Sequence, residues 1–201
     1  ESFKENNTVY YAMEYIEGCS LRAYCDGRGG KIREEEALDI VRQIADALKT
    51  MHKAQYNHAD VKPKNILIDE VKRRAVLIDF GTAHKYLGDG SIRPLEETMP
   101  PRVETPGYTS RKLAAYSCLL PSRDIYSLGA TLYNILTGRD PSGGIDIKPN
   151  DMSQRTEYAI KRAMKEDEVL QNIDDFLKLL PQNNEELSKE MSSRVTPRSV
   201  K

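Results

Sequence analysis

"HADVKPKN", His58–Asn65, crowds an acid, two lysines, an amide and a proline into a span too short for a helix. Asp, Asn and Pro are ordinary turn formers, so this stretch on its own reads as a solvated loop. The residues after Asn65 change that reading. "NILID" (Asn65–Asp69) and "AVLIDF" (Ala75–Phe80) have the composition of two short strands joined by the charged turn "EVKRR" (Glu70–Arg74). An antiparallel hairpin returns to the end where it began. Asn65, opening the first strand, and Asp79, closing the second, are therefore expected side by side. A carboxylate and an amide oxygen are hard ligands, suited to a Mg²⁺ ion whose other positions go to phosphate and water. Asp60 can face the same point without being a ligand, and Lys62 adds a positive charge between them. A base, a cation and two metal ligands form the inventory for moving a phosphoryl group, where positioning and charge neutralisation supply most of the catalysis.

Upstream, "TVYYAMEYI" (Thr8–Ile16) is rich in aromatic and β-branched residues and follows the turn-like "ENN", which predicts a strand. From Glu34 to Met51 the apolar positions Ala37, Ile40, Val41, Ile44, Ala45, Leu48 and Met51 form the stripe of an amphipathic helix. Glu34–Glu36 stand at its electropositive end. Downstream lies a long polar segment, Gly81 to Pro106, and loops of that length carry function or stay unstructured. A second stripe, Ile125, Leu128, Leu132, Ile135 and Leu136, ends at Gly138 and Pro141. A third helix is expected over about Gln154 to Met164, and "NIDDFLKLL" closes the fold before Pro181. From Pro181 to Lys201 apolar residues are nearly absent, which reads as a polar tail.

The 201 residues fit one domain, or a domain with a tail. Thirty basic residues against thirty-one acidic ones leave a net charge of −1, so no basic field exists for nucleic acid or an anionic membrane. Any phosphate binding must be local. The three cysteines, Cys19, Cys25 and Cys118, lack the paired spacing of a zinc site and are expected as reduced thiols in a cytoplasmic protein. No apolar run approaches the ~18 residues of a membrane span.

At this point the motifs carry a resemblance. "HADVKPKN" followed by "DFG" (Asp79–Gly81) resembles the catalytic and metal loops of eukaryotic-type protein kinases. "MEYIEGCSL" (Met13–Leu21) is similar to the hinge that holds adenine. "TPGYTSRK" (Thr105–Lys112) is similar to the end of an activation segment, and "DIYSLGATLYNILTG" (Asp124–Gly138) to the central helix of the large lobe. The resemblance implies an α+β, mostly α-helical fold: a kinase-like C-terminal lobe with a short β-hairpin carrying the metal site. Its boundaries would be a remnant of the small lobe and hinge over 1–16, the lobe over 17–180 and a tail over 181–201. ATP and Mg²⁺ would be the cofactors and a protein the substrate. Asp60 would accept the substrate hydroxyl's proton and Lys62 would neutralise the transferring group, while Asn65 and Asp79 would hold Mg²⁺. Backbone groups of Glu14 and Ile16 would bind adenine, with Met13 behind it, Leu67 beneath it and Ser20 at the ribose edge. Lys62 and Thr105 match the serine/threonine branch, His58 and Phe80 would align the loops by packing, and Asp124 would anchor the catalytic loop's backbone.

Three departures accompany the resemblance. Only "ESFKEN" precedes the hinge strand, with no glycine-rich loop and no phosphate-pairing lysine, so the small lobe is expected on another part of this polypeptide or on another chain. Without it, the isolated 201-residue chain is expected to fold but not to transfer phosphate. Ala59 stands where the family has an arginine that pairs with a phosphate on the activation segment, so Gly81–Pro106 is expected to lack that ordering contact. Lys112 stands at the glutamate position of the family's "APE", and Val169 aligns with that glutamate's arginine partner, so both members of a buried pair are absent together. Two other classes compete with a serine/threonine kinase. One is a non-catalytic kinase-like binding module; the other is a small-molecule phosphotransferase, against which Lys62–Pro63, the intact "DFG" and "TPGY" argue.

Overall fold

The chain begins with two short strands whose turn is dictated by a pair of asparagines. In this computed structural model, which describes residues 2–85, 105–110, 121–168, 170–183 and 185–188, β1 (Ser2–Glu5) pairs antiparallel with β2 (Thr8–Tyr11). Asn6 and Asn7 take φ of 49° and 59°, the left-handed pair that a two-residue hairpin turn with the right twist demands. The strand expected over Thr8–Ile16 thus stops at Tyr11, and residues 12–17 run on without regular structure. Its partner β1 was legible only through that Asn-Asn signal.

Gly18 then lets the chain approach the next sheet. A Cβ there would fall 2.0 Å from the Ile68 carbonyl oxygen, so no larger residue fits without moving a strand. β3 (Cys19–Ser20) pairs with β5 (Ile66–Asp69), and β5 with β6 (Arg74–Leu77), all antiparallel, in the order β3-β5-β6. The hairpin expected from "NILID" and "AVLID" is the β5–β6 pair, with Ile66 opposite Leu77. Ser20 turns the chain from strand into α1 (Leu21–Asp26) by accepting the Ala23 N–H at 3.2 Å, the role of an N-cap hydroxyl.

Among the described residues four longer helices build most of the core. α2 (Glu34–Lys53) buries the expected stripe from Ala37 to Leu48, with three acids in its first turn and His52 and Lys53 in its last, both suited to the dipole. α3 (Pro121–Thr137) is buried on all sides, not along one stripe. Its polar positions tolerate this because they bond the backbone: Ser127 Oγ donates to Arg123 O and Thr131 Oγ1 to Ser127 O. α4 (Gln154–Ala163) and α5 (Ile173–Leu179) pack on it and complete one apolar cluster with α2, β5 and β6. Glu34 locks two of these helices together, accepting both the backbone N–H and the hydroxyl of Ser153, the N-cap of α4.

Beyond Pro181 the chain keeps to this lobe as far as Leu187, which is 8 % exposed and joins the core. Glu186 pairs with Arg155 and also accepts the Gln182 N–H, so one leucine and one carboxylate hold a stretch that composition alone marks as tail. The segment 86–104, together with Lys112, Cys118 and Val169, lies outside the described residues. Among the described residues no helix is long and apolar enough to cross a membrane.

Candidate active site

Asp124, in the first turn of α3, is fully buried, and its carboxylate faces the chain after β4 (Tyr56–Asn57). It accepts the backbone N–H of His58 at 2.9 Å and of Ala59 at 2.8 Å, and lies 2.9 Å from His52 Nε2. These bonds hold Ala59 at a φ of 67°, a conformation that an L-residue adopts only under constraint. The backbone therefore reverses at Ala59 and delivers Asp60 to the surface of the lobe.

His58 is buried and works as a spacer. Its Nε2 donates to Ile78 O at 3.0 Å, its Nδ1 accepts from Asp60 N at 3.3 Å, and Phe80 meets its ring edge-on at 5.2 Å. Thr82 Oγ1 adds a bond to His58 O at 3.0 Å, and β4 pairs with β7 (His84–Lys85) alongside. The loop carrying Asp60 and the loop carrying Asp79 are thus laced at several points.

Asp60, Lys62 and Asn65 meet. Lys62 Nζ lies 2.7 Å from Asp60 Oδ2, and Asn65 Nδ2 donates to Asp60 Oδ2 at 2.8 Å and to Asp60 O at 2.9 Å. Pro63 opens the 3₁₀ turn Pro63–Asn65 and is buried, which fixes the five-residue spacing that makes this closure possible. A fourth member comes from 45 residues away: Thr105 Oγ1 donates to Asp60 Oδ1 at 2.9 Å and accepts from Lys62 Nζ at 3.0 Å. Its position before "PGY" is the only signal in the sequence for that contact. The acid and the cation are only 12 % and 20 % exposed, so each feels the other with little screening by water.

Asp79 stands at the same end of the hairpin as Asn65. The ladder extends by one bond, Ile78 N to Asn65 O at 2.9 Å, and Asp79 comes next with a φ of 66° and an exposed side chain that accepts from Gly81 N at 3.3 Å. The residues expected to bind adenine and ribose lie on and around the β3-β5-β6 sheet. Leu67, half-buried, is opposite Ser20, whose hydroxyl oxygen is already engaged as the cap of α1. Glu14 is tied to Arg74 on β6 through two bonds of 2.7 and 3.4 Å, which hold its carboxyl below the usual carboxylate range. That tie between Glu14 and the hairpin has no signature in the local sequence. Among the described residues no group of three or more His, Cys, Asp or Glu is arranged to hold a metal.

Known proteins are similar to this chain in sequence. Residues 1–201 match the family model described as protein kinase domain. The chain is 36% identical to Serine/threonine-protein kinase PrkC of Bacillus subtilis (strain 168) over 141 residues, which is 70% of the chain and 21% of that protein. It is 35% identical over 144 residues to the Probable serine/threonine-protein kinase zyg-1 of Caenorhabditis elegans, covering 70% of the chain and 19% of that protein. With the Calmodulin-binding receptor-like cytoplasmic kinase 1 of Arabidopsis thaliana it shares 33% identity over 171 residues, 83% of the chain and 35% of the relative. The chain belongs to the protein kinase family, whose members generally use ATP and Mg²⁺. Its mostly helical content with few strands is that of the family's C-terminal lobe. It spans about a fifth of the length of PrkC and zyg-1.

Proposed function

We propose that this chain is the large lobe of a serine/threonine protein kinase that moves the γ-phosphoryl group of ATP to Ser or Thr hydroxyls of a protein. The observation that carries this reading is the hydroxyl of Thr105 lying between the Asp60 carboxylate and the Lys62 ammonium, at 2.9 and 3.0 Å. A carboxylate that takes a hydroxyl's hydrogen bond beside a cation is arranged to orient an acceptor hydroxyl and draw off its proton. Lys62 neutralises charge on the phosphoryl oxygens as the group passes.

The donor set fits Mg²⁺. Asn65 commits its Nδ2 to Asp60, which turns its amide oxygen away as a hard ligand, and Asp79 offers an exposed carboxylate at the same end of the hairpin. When bound, the ion offsets phosphate charge. Adenine would lie along the hinge, over Leu67 and near Met13 and Ser20. Among the described residues neither Glu14 nor Ile16 has a backbone hydrogen-bond partner, which leaves both backbones open to an adenine edge. Met13 and Tyr15 are 77% and 86% exposed, and Phe3 and Val9 about half, apolar surface that a small lobe on this or another polypeptide would cover.

The test is transfer of labelled phosphate from ATP to a protein substrate by the full-length protein that carries this chain. Asp60→Asn should lower kcat by about 10²–10⁴, the usual contribution of a positioned base. Asp79→Ala should abolish Mg²⁺-dependent turnover with the fold intact. Nucleotide binding without transfer in the unaltered protein would replace the enzyme with a kinase-like binding module.

A further inference from the structure

We propose that the groove beside the catalytic cluster selects protein substrates carrying carboxylate side chains next to the acceptor hydroxyl. The proposal rests on the phosphotransfer reading above and names its substrate class. A cleft of about 740 Å³ opens beside Lys62 and Thr105, and its wall includes Arg22, Lys64, Tyr108 and Asp140. A polypeptide presenting a hydroxyl to Asp60 must lay its neighbouring side chains in this cleft.

The signs and commitments of those groups decide what it accepts. Lys64 is the middle residue of the 3₁₀ turn that joins Lys62 to Asn65, and it is exposed. Among the described residues no carboxylate pairs with Lys64. Arg22 spends its Nε and one terminal nitrogen on Asp26, at 3.1 and 2.7 Å, but the pair is about half exposed and one nitrogen remains. Among the described residues of the wall the one acid is Asp140, which caps Pro141–Gly143 by accepting Ser142 N–H at 2.7 Å. The Ser142 bonds hold its carboxyl below the usual range, with Arg22 helping. Among the described residues the wall thus carries three cations, Arg22, Lys62 and Lys64, against the one ionised acid, Asp140, which interacts with Arg22. A basic substrate side chain would meet this excess of positive charge, whereas an anionic one would find a partner in Lys64. Discrimination of this kind works as much by repelling the wrong sign as by attracting the right one.

The experiment uses the full-length protein and Ser-acceptor peptides that differ only in bearing Asp, Ala or Arg at the three positions on either side of the serine. The expected result is a kcat/KM about tenfold higher for the Asp than for the Arg peptide, the combined effect of two exposed cations, shrinking as salt is raised. Lys64→Glu should remove or invert that ratio and Lys64→Arg should preserve it. An Arg peptide used as well as the Asp peptide, or a ratio untouched by Lys64→Glu, overturns the proposal and leaves the kinase reading standing. If no peptide is phosphorylated, the kinase reading fails, and binding of the same labelled peptides by fluorescence anisotropy judges the groove. Tighter binding of the Asp peptide that Lys64→Glu abolishes supports the anionic preference; equal binding of all three overturns it.

Discussion

With its side chain withdrawn from solvent, Asp124 satisfies two consecutive backbone N–H groups, His58 and Ala59, and so holds Ala59 in the left-handed region. Its removal would leave both donors buried without a partner, at about 1–3 kcal/mol each. Asp124→Ala should accordingly destabilise the fold by about 2–5 kcal/mol in denaturant melts, and Asp124→Asn, which keeps one acceptor oxygen, by less. A loss below about 1 kcal/mol for the alanine variant would mean that water or a neighbouring group takes over those N–H groups. At this scale, the local spacing of "HADVKPKN" was sufficient to bring Asp60, Lys62 and Asn65 together, because the closing bonds span five residues or fewer. The contact of Thr105 with Asp60 spans 45 residues, and no local pattern encodes its distance.

Between elements, the crossing of α3 and α4 depends on Gly129. A Cβ on it would stand 2.6 Å from the Cβ of Ala163, an atom fixed to the facing helix that cannot swing aside. Gly129→Ala gains up to about 1 kcal/mol of helix propensity but overpacks the crossing by about 1–3 kcal/mol, so net destabilisation is expected. Gly143, with open space around its Cα, provides the control: Gly143→Ala should be close to neutral in the same melts. A more stable Gly129→Ala protein would show that the two helices separate at little cost. Although α3 is buried beyond its stripe, the helix α2 was readable, since its 3.6-residue stripe states which face is buried. How closely two helices approach was not, because that distance is decided by which residues face each other after folding.

For the molecule as a whole, burial raises several acidic groups. The Cys25 thiol is pushed up to about 11 by loss of solvent. Tyr24 is pushed up to about 12, first by burial and then by its hydrogen bond to Glu36, and Tyr108 is raised mainly by burial. Each folded-state value exceeds the unfolded one, so the folded chain binds these protons more tightly. The associated stability is fully present below the unfolded values and is lost as pH rises through the folded ones. Stability should therefore decline from about pH 9, the thiol titrating first, with a slope approaching about 1.4 kcal/mol per pH unit for each proton. Denaturant melts between pH 8 and pH 11 measure this, and Cys25→Ala should delay the onset by about one unit, to the start of the phenol range. Unchanged stability up to pH 11 would contradict the burial of Cys25 and Tyr24.

The sequence by itself determined what depends on neighbours a few residues apart. The apolar stripe from Ala37 to Leu48, the charged turn between β5 and β6 and the five-residue closure of Asp60 on Asn65 are all of this kind. Only the tertiary structure decided which distant segments meet. The reach of Thr105 to Asp60, the tie of Glu14 to Arg74, the seat of Leu187 in the core and the cations lining the cleft beside Lys62 all arise this way. The physical reason is that these contacts form between groups brought near by the packing of other elements, so their energies appear only once the lobe has closed.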